Sequence, residues 1–374
     1  MCSPCRACSA TSVPRDHRGD RQRALARRLE AAGLDALLVS HPPNVRYLTG
    51  FSGSTSLLLV GPGEPILVVD PRYAIQASEE AAGAARVEIA PRSLWEGLAL
   101  IVSAARPEGF GFEADRVSVR TAERIAGLKL PRVLATEGHV ETLRACKDAG
   151  EVDAIRRAAA LAHDAFRHTL ASVGPGQTER AIATRLEAAL RERGSEWHPF
   201  ETIAASGPRS ALPHARASER EIEPGDLLLL DFGAIVDGYC ADLTRTVVVG
   251  RAADARQRDR YDAVRLAQQA AIAGIRPGMP CRDADAIGRN SLEASGLGAA
   301  FRHSLGHGLG LEVHEEPRLA PTAEGELPAG AVVTIEPGVY FEGWGGVRLE
   351  DDVFLSTDGP TLVSPGAPAL EEVP

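Results

Sequence analysis

The chain has 374 residues, 44% of them apolar and 5% aromatic, and a formal net charge of −10. That length exceeds one ordinary domain and suits a small one plus a large one. A diffuse acidic balance argues against a nucleic-acid partner held through phosphate contacts. No stretch approaches the roughly 20 apolar residues that span a bilayer, so no membrane partner is expected.

Residues 1–20 are polar and rich in Cys, Pro and Arg, with no apolar segment of the kind a secretory signal carries. They are expected to form a disordered tail. Cys2, Cys5 and Cys8 are spaced like metal or cluster ligands, but no fourth Cys or His follows at a matching interval. Cys146, Cys240 and Cys281 are widely scattered and read as reduced thiols, in keeping with a cytoplasmic setting.

From Arg21 the pattern is that of a folded α/β unit. Leu25 and Leu29 share one face of a helix over 21–32, and Gly33 marks its end. Apolar runs at 34–40, 57–60 and 66–69 read as strands, the last two split by the turn residues 61–63. A helix is expected over 72–85, and further strands over 109–113 and 132–135. Strands alternating with helices imply a small α/β domain over 21–138.

The second domain is expected over 139–365, with 366–374 as a loose tail. It opens with a charged amphipathic helix over 143–169 and a second helix over 178–193, which Thr178 caps and Gly194 stops. Strand-like segments follow to Gly250. Helices at 259–274 and 283–295 then lead into more strands. Two helices followed by strands therefore occur twice. The repeat holds at residue level: Gly225 is followed six residues later by Asp231, and Gly330 six residues later by Glu336. Each acid ends an apolar strand, and each is followed by a second acid, Asp242 in one half and Glu350 in the other. Two facing halves would bring four carboxylates to one centre.

A carboxylate at the end of a buried strand needs a cation or a proton, because burying an unpaired charge costs several kcal/mol. One such acid reads as a strand cap or an ion pair with Arg. Four at matched places read as a metal site. His303, His307 and His314 lie within twelve residues, among glycines that favour an irregular segment approaching a site closely. His214 lies in another loop. Carboxylates with imidazole and no thiolate suit Mn²⁺, Co²⁺, Fe²⁺ or Zn²⁺, and the negative charge is enough for two ions.

These segments together resemble the M24 metallopeptidases of the "pita-bread" fold, and within them the Xaa-Pro branch of prolidase and aminopeptidase P. The resemblance rests on Ser-Ala-Leu-Pro-His214, Asp231-Phe-Gly-Ala, Asp242-Leu-Thr-Arg-Thr, His303-Ser-Leu-Gly-His307-Gly-Leu-Gly, Ile-Glu336-Pro-Gly and Val-Arg348-Leu-Glu350-Asp. It covers about 143–363, and Pro43-Asn44-Val-Arg-Tyr-Leu-Thr-Gly-Phe51 extends it more loosely into the first domain. It implies an α/β N-terminal domain plus an α+β pita-bread catalytic domain with an internal pseudo-two-fold repeat.

The resemblance also implies roles. Asp231, Asp242, His307, Glu336 and Glu350 would hold two divalent ions, Mn²⁺ foremost, with Asp242 and Glu350 bridging. A metal-bridging hydroxide would attack the bond before proline. Glu336 would shuttle the proton that the prolyl nitrogen must gain on leaving. His214 and His314 would orient the substrate and stabilise the tetrahedral intermediate, with His303 beside them. Arg348 would pair with a ligand carboxylate. Arg318 resembles the arginine that binds a dipeptide's free carboxylate in short prolidases, and a loop arginine in solvent is its plain alternative. The expected partners are a proline-containing di- or oligopeptide and a second copy of the chain. Three rivals remain: a methionine aminopeptidase-like enzyme, another small-molecule hydrolase of the family, and a catalytically dead binding module.

Overall fold

The computed structural model describes residues 17–374, which form two compact units, one ending at His139 and the other running Val140–Pro374. Residues 1–16, including Cys2, Cys5 and Cys8, lie outside the described residues.

The first unit contains α1 (Arg18–Ala31), β1 (Ala36–Val39), α2 (Pro42–Thr49), β2 (Ser56–Val60), β3 (Ile66–Val69), α3 (Ala74–Glu80), β4 (Arg86–Ile89), α4 (Leu94–Ala105), β5 (Gly109–Glu113), α5 (Val119–Ala126) and β6 (Arg132–Thr136). The six strands make one mixed sheet in the order β4-β3-β2-β1-β5-β6. Leu38, Leu59, Val68 and Phe110 pack with Leu98, Val102 and Ile125 of the covering helices. The tail expected over 1–20 is too long at its far end. Arg18 to Asp20 belong to α1, and Arg18 Nη1 donates to the carbonyls of Thr49 (2.8 Å) and Glu80 (2.7 Å).

The second unit opens with α6 (Glu141–Arg144), α7 (Ala149–Leu170) and α8 (Glu179–Glu192). The single helix expected over 143–169 is broken because Asp148 caps α7. Its side chain accepts from the amides of Gly150 and Glu151, and Glu151 returns a bond to the Asp148 amide. Next come β7 (Ile203–Ser206), β8 (Leu227–Phe232), the hairpin β9 (Ile235–Val236) and β10 (Tyr239–Cys240), and β11 (Leu243–Val249). The second half has α9 (Ala255–Gly274), α10 (Cys281–Ala294), β12 (Gly306–Gly308), β13 (Glu315–Leu319) and β14 (Val332–Ile335). It continues with the hairpin β15 (Gly338–Phe341) and β16 (Gly345–Arg348), then β17 (Asp351–Ser356) and β18 (Gly359–Leu362). The last strand is β19 (Glu371–Val373).

The first half's sheet runs β19-β11-β8-β7, and the second's β13-β12-β14-β17-β18. The expectation of a loose tail over 366–374 is therefore wrong at 371–373. That segment pairs in parallel with β11 from Val247 to Val249, and its glutamates form ion pairs with Arg167 and Arg258.

The leucine run of β8 is continuous because both faces of this sheet are covered. Leu228, Leu230 and Phe232 pack against α7 and α8, where Phe166 stacks on Phe232 at 5.3 Å between centroids. Leu227 packs into the core of the second half, and Leu229 meets Ile203 and Ala215. Successive strand residues alternate faces, so Asp231 shares the face of Leu227 and Leu229 and is turned toward the other half. The halves meet where Thr244 of β11 bridges to Glu350, whose amide donates to the Thr244 carbonyl at 3.2 Å.

Candidate metal centre

Asp242, His307 and Glu350 each offer a donor atom within 4.8 Å of the others, one residue from the first half and two from the second. Glu336 joins them, with an oxygen 3.6 Å from His307 Nε2, and Asp242 places one at 3.8 Å. Each position follows from a strand: Glu336 ends β14, Asp242 precedes β11, and Glu350 lies between β16 and β17.

The charges in this group do not balance among themselves. Burial, and then the charge of Glu350, pushes both Asp242 and Glu336 well above the usual carboxylate range. Burial and Asp231 push Glu350 up to about 8. Asp231 Oδ1 and Asp242 Oδ1 are buried with no hydrogen-bond partner. The imidazole of His307 offers no positive charge, since burial and neighbouring His314 push it down to about 4. Its Nδ1 faces the Gly308 carbonyl at 3.1 Å, and a carbonyl can only accept, so Nδ1 carries the hydrogen. Nε2 then presents a lone pair to two carboxylates. A lone pair facing carboxylates needs a proton or a cation between them, and carboxylates plus one imidazole form a donor set for a hard-to-borderline divalent ion. The residues present fit such an ion.

Among the described residues, the cation that binds a carboxylate of this group is Arg348. Its Nη2 donates to Asp231 Oδ2 at 2.5 Å, its Nε to Thr244 Oγ1 at 3.1 Å and its Nη1 to the Pro213 carbonyl at 3.2 Å. Thr244 Oγ1 in turn donates to Glu350 Oε2 at 2.6 Å. One guanidinium thus ties Asp231, Glu350 and the loop carrying His214 into a single frame.

Family models match most of the chain. The model for metallopeptidase family M24 matches residues 153–357, and the creatinase/prolidase N-terminal domain matches 21–146. The chain belongs to metallopeptidase family M24. The M24 match places this centre in a class of enzymes that work with divalent metal ions, and its pita-bread fold is that of the catalytic unit described above. The chain is 41% identical to the uncharacterized peptidase YqhT of Bacillus subtilis over 89% of its own length and 94% of the relative's. Among solved structures it resembles the Xaa-Pro dipeptidase from Bacillus anthracis with TM-score 0.92, at 34% identity over 95% of this chain and 100% of that one. The X-Pro aminopeptidase from Thermotoga maritima is similar at TM-score 0.87, with 33% identity over 94% and 99% of the two chains.

Around this M24 centre the remaining residues singled out from the sequence fall as follows. His314 packs edge-on against His307, with ring centroids 4.4 Å apart, and is exposed, as is His214. Burial lowers the pKa of His314. His303 Nδ1 lies 3.8 Å from Glu336. Arg318 is the register partner of His307 across β12 and β13, so the two side chains share a face. Its guanidinium has no ion-pair partner among the described residues.

Tyr340 was missed by sequence reasoning. Its hydroxyl accepts from Arg348 Nη1 at 2.8 Å and lies 2.8 Å from His303 Nε2. Since His303 Nδ1 donates to the Ser304 carbonyl, the phenol must donate to Nε2. Burial pushes Tyr340 up to about 12 and His303 down to about 3, so both are neutral. A tyrosine alternating with apolar residues four positions after Glu336 is the trace it leaves in the sequence, and core tyrosines leave the same one. Asp352 was also missed. It is buried and accepts from the Asp242 amide at 3.3 Å.

Proposed function

We propose that the chain is a dinuclear metal-dependent exopeptidase that cleaves the bond between an N-terminal residue and a following proline, with Xaa-Pro dipeptides as preferred substrates. The observation that carries this reading is the pairing of His307 with Arg318, whose guanidinium lies on the same sheet face as the carboxylate cluster and has no ion-pair partner among the described residues. A dipeptide ends in a carboxylate close to its scissile bond, and arginine binds carboxylates through a two-pronged fork. Similarity to the Xaa-Pro dipeptidase from Bacillus anthracis supports the same substrate class.

In this reading Asp231, Asp242, His307, Glu336 and Glu350 would hold two divalent ions, Mn²⁺ foremost. When bound, the ions supply Lewis acidity toward the scissile carbonyl and the attacking water. The protein's own groups do the rest. Arg318 fixes the terminal carboxylate. His214 and His314 orient the peptide and stabilise negative charge as it builds on the carbonyl oxygen. Glu336 takes a proton from the water and gives it to the prolyl nitrogen, which has no hydrogen of its own and leaves as a secondary amine once the C–N bond breaks. His303, Tyr340 and Arg348 keep Asp231 and Glu336 in place.

A second reading, an aminopeptidase acting on longer Xaa-Pro-Yaa peptides, is favoured by the similarity to the Thermotoga maritima enzyme. A cytoplasmic setting is in keeping with free Cys146, Cys240 and Cys281. No helix among the described residues is long and apolar enough to cross a membrane. Pairing of two copies rests on the family resemblance, and light scattering tests it. The deciding experiment is a hydrolysis panel of Xaa-Pro dipeptides, Xaa-Pro-Yaa tripeptides and Met-Ala peptides with Mn²⁺, Co²⁺ or Zn²⁺. Dipeptide cleavage is expected. Tripeptide cleavage alone favours the aminopeptidase, Met-Ala cleavage a methionine aminopeptidase, and no cleavage with metal bound a binding module.

A further inference from the structure

Behind the strand that carries Arg318 lies an ion cluster with no part in the chemistry above. Glu315 opens β13, and its side chain is only 5% exposed. One oxygen accepts from Arg144 of α6, and the other from Lys147 Nζ at 3.2 Å, on the turn between α6 and α7. The side chains of Arg144 and Lys147 are 3% and 1% exposed. Three charges are thus withdrawn from water at one point. Burial alone would raise the Glu315 pKa, but Lys147 and Arg144 outweigh it and hold the carboxyl below its usual range.

The cluster reaches into the loop between β12 and β13. The amide of Glu312 donates to Glu315 Oε1 at 3.0 Å, and Arg144 Nη2 donates to Glu312 Oε2 at 2.8 Å. The loop passes so close that a Cβ at Gly310 would lie 2.8 Å from Glu315 Oε2. The Gly310 carbonyl accepts from the Cys240 amide at 2.7 Å, two residues before Asp242. Along 314–319 the burial alternates: Glu315, Pro317 and Leu319 are turned inward, while His314, Glu316 and Arg318 are exposed. An anchor on the inner face therefore sets the outer face.

We infer that Glu315, held by Arg144 and Lys147, is a positioning residue that fixes where His314 and Arg318 meet the substrate. The inference rests on the proposed roles of those two residues. Buried ion pairs contribute little net stability but penalise any other arrangement, because breaking one strands a charge away from water. Such a cluster favours one geometry of loop and strand over its alternatives. A group that binds substrate must be held to a fraction of an ångström to be effective.

The test uses the full chain with Glu315→Gln, which keeps the shape and removes the charge. Lys147→Met, which strands less charge, is the second variant and decides the matter if Glu315→Gln does not fold. Metal content is expected to match the parent. KM for the best-cleaved peptide should rise about tenfold, and kcat should fall as well, because Arg318 acts in binding and His314 also on the transition state. Hydrogen exchange should quicken by about tenfold in 309–319 and stay unchanged across β8 and β11. Unchanged KM, or exchange that quickens equally throughout the catalytic unit, overturns the inference. Failure of the dipeptidase reading has its own mark, a parent enzyme that cleaves no Xaa-Pro dipeptide, and the exchange and KM arms still judge the anchor on whichever peptide is cleaved.

Discussion

His307 and Arg318 stand opposite each other on neighbouring antiparallel strands, one beside the carboxylate cluster and the other an exposed cation on the same face. A dipeptide is short enough to be held at both ends by this pair of strands. Arg318→Ala is therefore expected to lower kcat/KM for Xaa-Pro dipeptides by about ten- to a hundredfold, the value of a hydrogen bond to a charged group. Xaa-Pro-Yaa tripeptides, whose carboxylate lies one residue further on, should lose much less. Steady-state kinetics on both substrates checks this, and equal losses would make Arg318 structural.

Asp242 and Glu350 come from opposite halves of the catalytic unit and meet beside His307. Asp242→Ala or Glu350→Ala should lose bound metal and activity together. Elemental analysis of purified protein decides the point, and full activity in a strong chelator would refute the metal assignment.

A metal-stripped chain should show an inverted pH dependence of stability. The Glu350 pKa is raised from 4.5 to about 8 by burial and by Asp231, and Asp242 and Glu336 move in the same direction. A carboxyl whose folded pKa lies above its unfolded value favours folding fully below the unfolded value, and that contribution is lost as pH rises through the folded one. Melting temperature in chelator should therefore fall between about pH 4.5 and 8. With metal bound the curve should be flatter. A rise across that window in the stripped protein would contradict the account of the site.

Much of this site could be read from the sequence. Strand-end acids at matched positions in two half-repeats were visible as spacing, because a buried carboxylate needs a partner whatever the fold. The histidine segment was visible through its glycines. What stayed hidden depends on contacts between distant segments. Tyr340 is marked out only by its bonds to His303 and Arg348, which are 37 and 8 residues away. Glu315 is likewise marked out only by Arg144 and Lys147, which lie far earlier in the chain. At the ends, composition misled. Arg18 was grouped with a polar tail, and 371–373, flanked by prolines, gave no apolar run to mark a strand.

Tyr340→Phe keeps the buried ring and removes the hydroxyl, leaving His303 Nε2 without its donor and Arg348 Nη1 with one bond fewer. Metal content should hold, and kcat/KM should fall by about tenfold, in line with the cost of an unsatisfied buried polar group. Elemental analysis alongside kinetics checks both halves, and an unchanged kcat/KM would show that the phenol is only packing.

Arg18→Ala should destabilise the N-terminal unit by about 1–3 kcal/mol, since the guanidinium binds the carbonyls of Thr49 and Glu80. Truncation through Asp20 should do at least as much harm. Chemical denaturation followed by a probe in the N-terminal unit measures it, and a variant as stable as the parent would show that these bonds are replaced by water at no cost.

The edge strand formed by 371–373 sets a timetable for the nascent chain. It completes the sheet of the first half, beside β11, yet the whole second half is made in between. While a ribosome is still adding α9 through β18, the outer edge of β11 has no neighbour and is open to pairing with other strands. The sheet of the first half is complete only once Val373 has been made, after every carboxylate and imidazole of the centre the two halves share.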